Sequence, residues 1–162
     1  MRITNNFSLP DPIHKMAGAY MRCPTNTRFS VTELTTPPQV RSLKMKHWDE
    51  LEEDCSDRLW ALLGSATHAI LAGHAGINTF SEEYLKMFIP ELEGIQLSGQ
   101  VDLYEEPAIR DYKVTSVYSF LLGDKPEWEQ QLNCYAYLYT HTGFPVKELW
   151  IDAILRDWQK SK

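Results

Sequence analysis

The sequence predicts an α/β protein in which helices flank a mixed β-sheet. The prediction depends on the order of its patterned segments, which is helix, three strands, helix and strand. Helical segments repeat apolar residues every three or four positions, whereas strand segments alternate apolar and polar residues. A final strand that follows a helix is reached by a crossover, which favours a sheet with both parallel and antiparallel pairs. At 162 residues the chain is expected to form one domain.

The composition is that of a globular protein. Apolar residues make up 43% of the chain and aromatic residues 12%, which argues against disorder. The net charge of −6 does not favour a nucleic-acid binder, although a metal site concentrates carboxylates by itself. Neither a signal peptide nor a membrane-spanning run is visible, so we expect a cytoplasmic protein without a membrane partner. The isolated Cys23, Cys55 and Cys134 predict reduced thiols.

Short elements are predicted for the N-terminal fifty residues. Pro10-Asp11-Pro12 favours a helix through Tyr20, and Ser30 to Leu34 has the pattern of a capped helical turn. A further short helix, Gln39 to Trp48, carries Arg41 and Lys44. A solvated basic face explains these two cations most simply. They are also the best candidates outside the main site for contacts with a phosphate backbone.

The first strong helical pattern extends from Glu52 to Leu71. Its apolar residues recur at helical spacing, acidic residues crowd its beginning, and Gly73 follows as a stop signal. His68 lies four residues after Gly64, so the two share a face. Because glycine weakens a helix, we expect another group to approach closely there. A histidine in this position can be a hydrogen-bonded core residue or a metal ligand, and the former is more common.

A β-hairpin is predicted at the centre of the chain. Residues 78–89 favour a strand that contains Glu82 and Glu83, and the turn after it leads into the hairpin. Its two strands are Ile95 to Tyr104 and Ala108 to Val114, with a proline-containing turn between them.

Three charged residues are expected on one face of this hairpin. Strand alternation directs Asp111 and Lys113 to the same side, and Asp102 on the partner strand can join them. Unpaired buried charge is costly, so such a trio suggests a site for Mg²⁺ or Mn²⁺ and a phosphate. A surface ion pair would explain Asp111 and Lys113 equally well if they stood alone.

The last two elements are a helix and a strand. Asp124-Lys-Pro-Glu127 has the pattern of a capping box and predicts a helix that extends to about Thr140. Gln131 and Tyr135 share one face of this helix, as they would in any amphipathic helix. Lys147 to Leu155 alternates as a strand does.

In this order, the motifs resemble the RecB-like branch of the PD-(D/E)XK nuclease superfamily. The motifs that carry the resemblance are Gly64-Ser-Ala-Thr-His68, Gly99-Gln-Val-Asp102, Asp111-Tyr-Lys113 and Gln131-Leu-Asn-Cys-Tyr135. It extends from Leu59 to Trp158, and the N-terminal fifty residues are similar, with less specificity, to phage-encoded members. The resemblance implies a restriction-endonuclease-like core over 52–158, an N-terminal extension over 1–50, and a single nuclease domain over 1–162.

The resemblance also implies roles for individual residues. The ligands of Mg²⁺ or Mn²⁺ would be His68, Asp102, Asp111 and the main-chain carbonyl of Val114. Lys113 would orient or activate the attacking water, and Gln131 and Tyr135 would position the lysine or contact DNA. Either Glu82 or Glu83 could supply a further carboxylate, but no motif distinguishes them.

The activity implied by the resemblance is metal-dependent hydrolysis of DNA. A stand-alone exonuclease of recombination, repair or phage DNA processing fits best, in the host cytoplasm if the protein is phage-encoded. A structure- or sequence-specific endonuclease and a catalytically idle nucleic-acid-binding module are the alternatives. The partner would be DNA with a free end, and a homo-oligomer is left open. Because the cysteines are scattered, no iron–sulfur cluster is expected.

Overall fold

The computed structural model describes residues 1–19 and 21–160, and it confirms a mixed α/β fold with helices flanking mixed sheets. The helices are α1 (Asp11–Ala19), α2 (Val31–Leu34), α3 (Pro38–Lys46), α4 (Leu59–Ala72), α5 (Val117–Leu121) and α6 (Pro126–His141). The strands are β1 (Arg2–Thr4), β2 (Arg28–Ser30), β3 (Glu52–Asp54), β4 (Phe80–Ser81), β5 (Tyr84–Phe88), β6 (Gln96–Gln100), β7 (Leu103–Glu105), β8 (Ala108–Thr115) and β9 (Glu148–Leu155).

The strands form three sheets. β1 and β3 make a small parallel pair, and β2 and β5 lie on either side of β6. The third sheet has the order β4-β7-β8-β9, in which β8 is antiparallel to β7 and parallel to β9. The chain passes from β8 to β9 through α5 and α6, so the predicted crossover is confirmed. α5 was not predicted.

Two of the predicted strands, 78–89 and 95–104, are each interrupted once and so form two shorter strands. β6 ends at Gln100 and β7 begins at Leu103, so the expected strand from Ile95 to Tyr104 is interrupted at Val101 and Asp102. The expected strand over 78–89 is interrupted opposite this point, where Glu82 adopts the left-handed conformation with φ 55°. We call residues 82–83 and 101–102 the sheet break. A non-glycine residue in that conformation is uncommon, and it turns the side chain out of the regular alternation.

The helix predicted from Glu52 begins only at Leu59. Glu52–Asp54 pairs instead with Arg2–Thr4, and a 3₁₀ turn from Cys55 to Arg58 leads into α4. A strand partner from the N-terminus has therefore overridden the local helical pattern. The close approach expected at Gly64 is also absent, because a Cβ there would meet no described atom within 4 Å.

The capping box predicted for α6 does not form. The N-cap is Lys125, which makes no side-chain cap, and Pro126 is the first helical residue. Proline suits this position because its missing N–H is not needed there. The helix then continues to His141, close to the predicted end.

The main core lies between α6 and the sheets, and the N-terminal region contributes to it. Val31 of α2 is 1% exposed and belongs to the same buried cluster as residues of β6, β8 and α6. Its buried partners are Leu97, Val101, Tyr104, Ile109, Leu132, Tyr135, Leu138 and Tyr139. The segment predicted as an extension thus supplies a strand, β2, and a core residue.

None of the helices in the described part of the chain has both the length and the apolar character that a bilayer crossing requires.

Candidate active site

Three side chains from three separate segments meet at the sheet break. His68 Nδ1 of α4 lies 2.8 Å from Asp102 Oδ1 and 3.6 Å from Glu82 Oε1. Each of the three residues offers one ligand atom, and these atoms lie within 4.8 Å of one another. We call His68, Glu82 and Asp102 the acidic cluster. An imidazole nitrogen with carboxylate oxygens is a donor set that suits Mn²⁺ and permits Mg²⁺.

The backbone of β8 holds Asp102 in place. β7 pairs with β8 only as far as Arg110, and no described strand continues the pairing along this edge beyond that residue. The Tyr112 N–H donates there to Asp102 Oδ2 at 2.6 Å. Continuing the register places Asp102 opposite Asp111, as the predicted hairpin requires. One oxygen of Asp102 therefore faces His68 while the other is fixed by the strand.

Asp111, Lys113 and Gln131 form a second group on the α6 side of β8, which we call the lysine triad. Lys113 Nζ lies 2.6 Å from Asp111 Oδ2 and donates to Gln131 Oε1 at 2.9 Å. Gln131 Nε2 donates in turn to Asp111 Oδ1 at 3.4 Å. An ammonium can only donate and a carboxylate can only accept, so this closed triangle determines the orientation of the Gln131 amide.

Successive side chains of β8 point in two directions. Asp111 and Lys113 face α6, whereas the Tyr112 ring meets the His68 ring of α4 edge-on at 6.2 Å between centroids. Arg110 also faces away from Gln131 and pairs with Asp152 at 3.1 Å. The predicted division of this strand into two faces is confirmed.

Negative charge is concentrated and partly unmatched in this region. Burial raises the pKa of Asp111, and Lys113 opposes that rise. Burial and the nearby Asp102 charge raise the pKa of Glu82. The hydrogen bond to Asp102 raises the pKa of His68, against the effect of burial. All three groups therefore have a raised pKa, chiefly because burial disfavours the charged carboxylates and because Asp102 stabilises the protonated His68.

One carboxylate oxygen supplies a direct test of fit for a cation. Glu82 Oε1 is buried and accepts no hydrogen bond within the described residues. A buried oxygen without a hydrogen bond is costly. A divalent cation bound to the carboxylates would compensate this cost, so the residues present fit Mg²⁺ or Mn²⁺.

The structure distinguishes between Glu82 and Glu83, which the sequence could not. Glu82 joins the acidic cluster, whereas the Glu83 side chain is exposed and the Glu83 carbonyl accepts from the Tyr139 hydroxyl at 3.5 Å. The left-handed backbone at Glu82 produces this difference. The sequence carries no signal of that conformation, since glutamate does not favour it.

The remaining predicted site residues are Val114, Tyr135, Arg41 and Lys44. Val114 follows Lys113 on β8, in register with Ile154 of β9. Tyr135 lies one turn after Gln131, and its hydroxyl accepts from Gln131 Nε2 at 3.3 Å. Tyr135 is only 5% exposed, and burial raises its pKa to about 12.

Arg41 and Lys44 lie apart from the acidic cluster and the lysine triad. The Arg41 guanidinium donates to the carbonyls of Thr25 and Arg28 and stacks on Phe29 at 4.0 Å. It therefore holds the segment before β2 and has little freedom for the predicted phosphate contact. Lys44 is exposed and lines a separate cleft of about 540 Å³ with Arg41.

Comparisons with known proteins show a likeness of fold. No family model and no curated protein matches the sequence. Among solved structures, the crystal structure of SSO0001 is similar with a TM-score of 0.69 and 16% sequence identity. The match covers 90% of this chain and 71% of that chain. At this identity the similarity shows a shared α/β fold and carries no statement about activity.

Proposed function

We propose that this protein is a metal-dependent deoxyribonuclease that hydrolyses phosphodiester bonds. The form that we favour is a stand-alone RecB-like exonuclease with a PD-(D/E)XK core, acting in recombination, repair or phage DNA processing. The observation that supports the proposal is the meeting of the acidic cluster and the lysine triad at one short stretch of β8, Asp111–Lys113. A cation site beside a fixed ammonium is what hydrolysis of an anionic phosphodiester requires.

His68, Glu82, Asp102 and Asp111 would hold the metal ion, with the Val114 carbonyl as a further ligand implied by the family resemblance. When bound, Mg²⁺ or Mn²⁺ neutralises phosphate charge and lowers the pKa of a coordinated water. Glu82 is added here to the ligands that the motifs predict, because its buried oxygen has no hydrogen-bond donor of its own.

Lys113 supplies a second positive charge beside the one that the metal ion would provide. Its ammonium has three N–H donors, and Asp111 and Gln131 engage two of them. No described residue accepts from the third, which can donate to a phosphate oxygen or to the attacking water. Because Asp111 and Gln131 hold the ammonium in one place, little reorganisation is needed when charge builds on the phosphate.

Gln131 and Tyr135 act as positioning residues in this proposal. The predicted alternatives were to position the lysine or to contact DNA. Tyr135 is 5% exposed, which leaves little of it to contact DNA. Its hydroxyl instead holds the Gln131 amide, which in turn holds Lys113.

The test compares linear duplex, linear single-stranded and closed circular DNA, each with Mn²⁺, Mg²⁺ or EDTA. We expect linear DNA to be degraded to short products with either metal and to survive in EDTA, while closed circles persist. Cleavage of closed circles would favour the endonuclease. Binding of DNA without cleavage, together with Mn²⁺ binding by calorimetry, would favour the idle binding module. A protein that neither cleaves DNA nor binds Mn²⁺ would refute the proposal.

A further inference from the structure

Gly99 on β6 occupies a position where no larger residue fits. A Cβ built on it would lie 2.8 Å from Tyr135 Cε1 and 2.9 Å from Val31 Cγ2. Real Cβ atoms essentially never approach other atoms so closely, so an alanine would have to displace one of these side chains or the strand itself. We call the space above Gly99, between Tyr135 and Val31, the Gly99 notch.

Both walls of the Gly99 notch are held firmly. Val31 is 1% exposed and opens α2, whose start is fixed by a capping box between Ser30 and Glu33. Tyr135 belongs to α6, which packs on β6. The aromatic ring therefore rests on the Gly99 backbone with little room on either side.

The Tyr135 ring is connected to the lysine triad by hydrogen bonds. Its hydroxyl accepts from Gln131 Nε2 at 3.3 Å, and Gln131 Oε1 accepts from Lys113 Nζ at 2.9 Å. Gln131 is the only side chain in the described residues that contacts Tyr135 OH, Asp111 and Lys113 together. A displacement of the ring must therefore stretch or break one of these contacts.

We propose that the Gly99 notch sets the position of Lys113, through Tyr135 and Gln131, and that Gly99 and Val31 are positioning residues of the site. In this proposal α2, through Val31, keeps Tyr135 in place and so contributes to the geometry of the lysine triad. The consequence for activity rests on the proposed nuclease function, whereas the consequence for the Gln131 amide does not.

The first test is Gly99→Ala, with Gly18→Ala as the matched control. Gly18 lies on α1 with no described atom within 4 Å of an added Cβ, so its substitution adds the same methyl group in open space. In Gly99→Ala we expect the side-chain amide cross-peaks of Gln131 to shift in ¹⁵N NMR spectra of the metal-free protein. We also expect kcat to fall about tenfold to a hundredfold while KM for DNA and Mn²⁺ affinity change less than about threefold. Gly18→Ala should match the wild type in every readout.

A double-mutant cycle tests the route of the effect. Tyr135→Phe keeps the ring on Gly99 but removes the hydroxyl, so adding Gly99→Ala to it should lower kcat much less than Gly99→Ala does alone. An equal loss in both backgrounds would overturn the proposal, because the effect would then bypass the Tyr135 hydroxyl. Unchanged Gln131 cross-peaks in folded Gly99→Ala would overturn it as well.

Val31→Ala provides the test if Gly99→Ala does not fold. It removes two methyl groups from the side of the Gly99 notch that faces Tyr135. The control is Val146→Ala, which removes the same atoms from a partly buried residue just before β9. We expect altered Gln131 cross-peaks and a lower kcat in Val31→Ala only. Wild-type cross-peaks in folded Val31→Ala would overturn the proposal. If the wild type cleaves no DNA, the proposed function fails, but the cross-peaks still decide the inference.

Discussion

The acidic cluster and the lysine triad lie beside the same stretch of β8, and they differ in how their charges are matched. The lysine triad contains its own ammonium, in contact with Asp111 at 2.6 Å, and its amide satisfies both partners. The acidic cluster contains two carboxylates and a histidine, and Glu82 Oε1 accepts no hydrogen bond within the described residues. The lysine triad therefore has a cation of its own, whereas the carboxylates of the acidic cluster need bound protons or a metal ion to offset their charge.

This difference separates two tasks within one site. The lysine triad holds its ammonium in place, so loss of the Lys113 ammonium should affect catalysis and leave metal binding intact. The acidic cluster is electrostatically incomplete, so its substitution should affect metal binding first.

The largest effect is expected for Asp102→Asn. Asparagine keeps the shape of Asp102 but removes the charge that faces His68 and the strong acceptor for the Tyr112 N–H. Mn²⁺ affinity, measured by calorimetry, should fall by at least about a hundredfold, and DNA cleavage should become undetectable. Asp152→Asn, which removes a carboxylate paired with Arg110 on the same sheet, is the control. Normal Mn²⁺ affinity in Asp102→Asn would contradict the assignment of the acidic cluster.

Lys113→Ala should separate catalysis from metal binding. The variant loses the ammonium of the lysine triad but none of the proposed ligands. We expect kcat to fall about a hundredfold to a thousandfold while Mn²⁺ affinity stays within about threefold of the wild type. Lys86→Ala, an exposed lysine of β5, is the control. If Lys113→Ala cleaves DNA normally, then Asp111 and Lys113 are an ordinary ion pair, and the lysine triad has no catalytic role.

Glu82→Gln and Glu83→Gln form a matched pair of adjacent substitutions. Only Glu82 lies in the acidic cluster, since Glu83 is exposed. We expect Glu82→Gln to weaken Mn²⁺ binding about tenfold and Glu83→Gln to leave it unchanged. Equal effects of the two substitutions would mean that the left-handed turn at Glu82 has no role in metal binding.

His68→Ala should weaken Mn²⁺ binding strongly. In the metal-free protein we expect only a small effect, a change in how the melting temperature depends on pH. The bond to Asp102 raises the pKa of His68 above that of an unfolded histidine. A group whose pKa is higher in the folded protein than in the unfolded chain stabilises the folded protein when it is protonated. This stabilisation is complete at pH values below the unfolded-state pKa, and it is lost as the pH rises through the folded-state pKa. Between about pH 6 and about pH 8, the melting temperature without metal should therefore decrease more in the wild type than in His68→Ala.

Melting curves at several pH values, with EDTA present, measure this slope. A steeper decrease in His68→Ala would contradict the expected direction. A large loss of stability at every pH, combined with normal Mn²⁺ affinity, would mark His68 as a packed core residue and remove it from the acidic cluster.

Periodicity alone determined the parts of the site that lie within one element. Strand alternation placed Asp111 and Lys113 on the same face of β8, and helical spacing placed Gln131 and Tyr135 one turn apart on α6. These relations follow from the geometry of a single strand or helix, so they hold whatever the rest of the chain does. The crossover between β8 and β9 was predictable for a similar reason, because a helix separates the two strands.

Only the tertiary structure decided how distant segments divide and meet. The sheet break brings Glu82 beside Asp102, β1 converts the expected start of α4 into a strand, and Val31 reaches Tyr135 across Gly99. Each of these outcomes depends on a partner that lies tens of residues away in the chain. Local sequence patterns cannot identify such partners, because the free energies of strand pairing and side-chain packing depend on residues outside the segment itself.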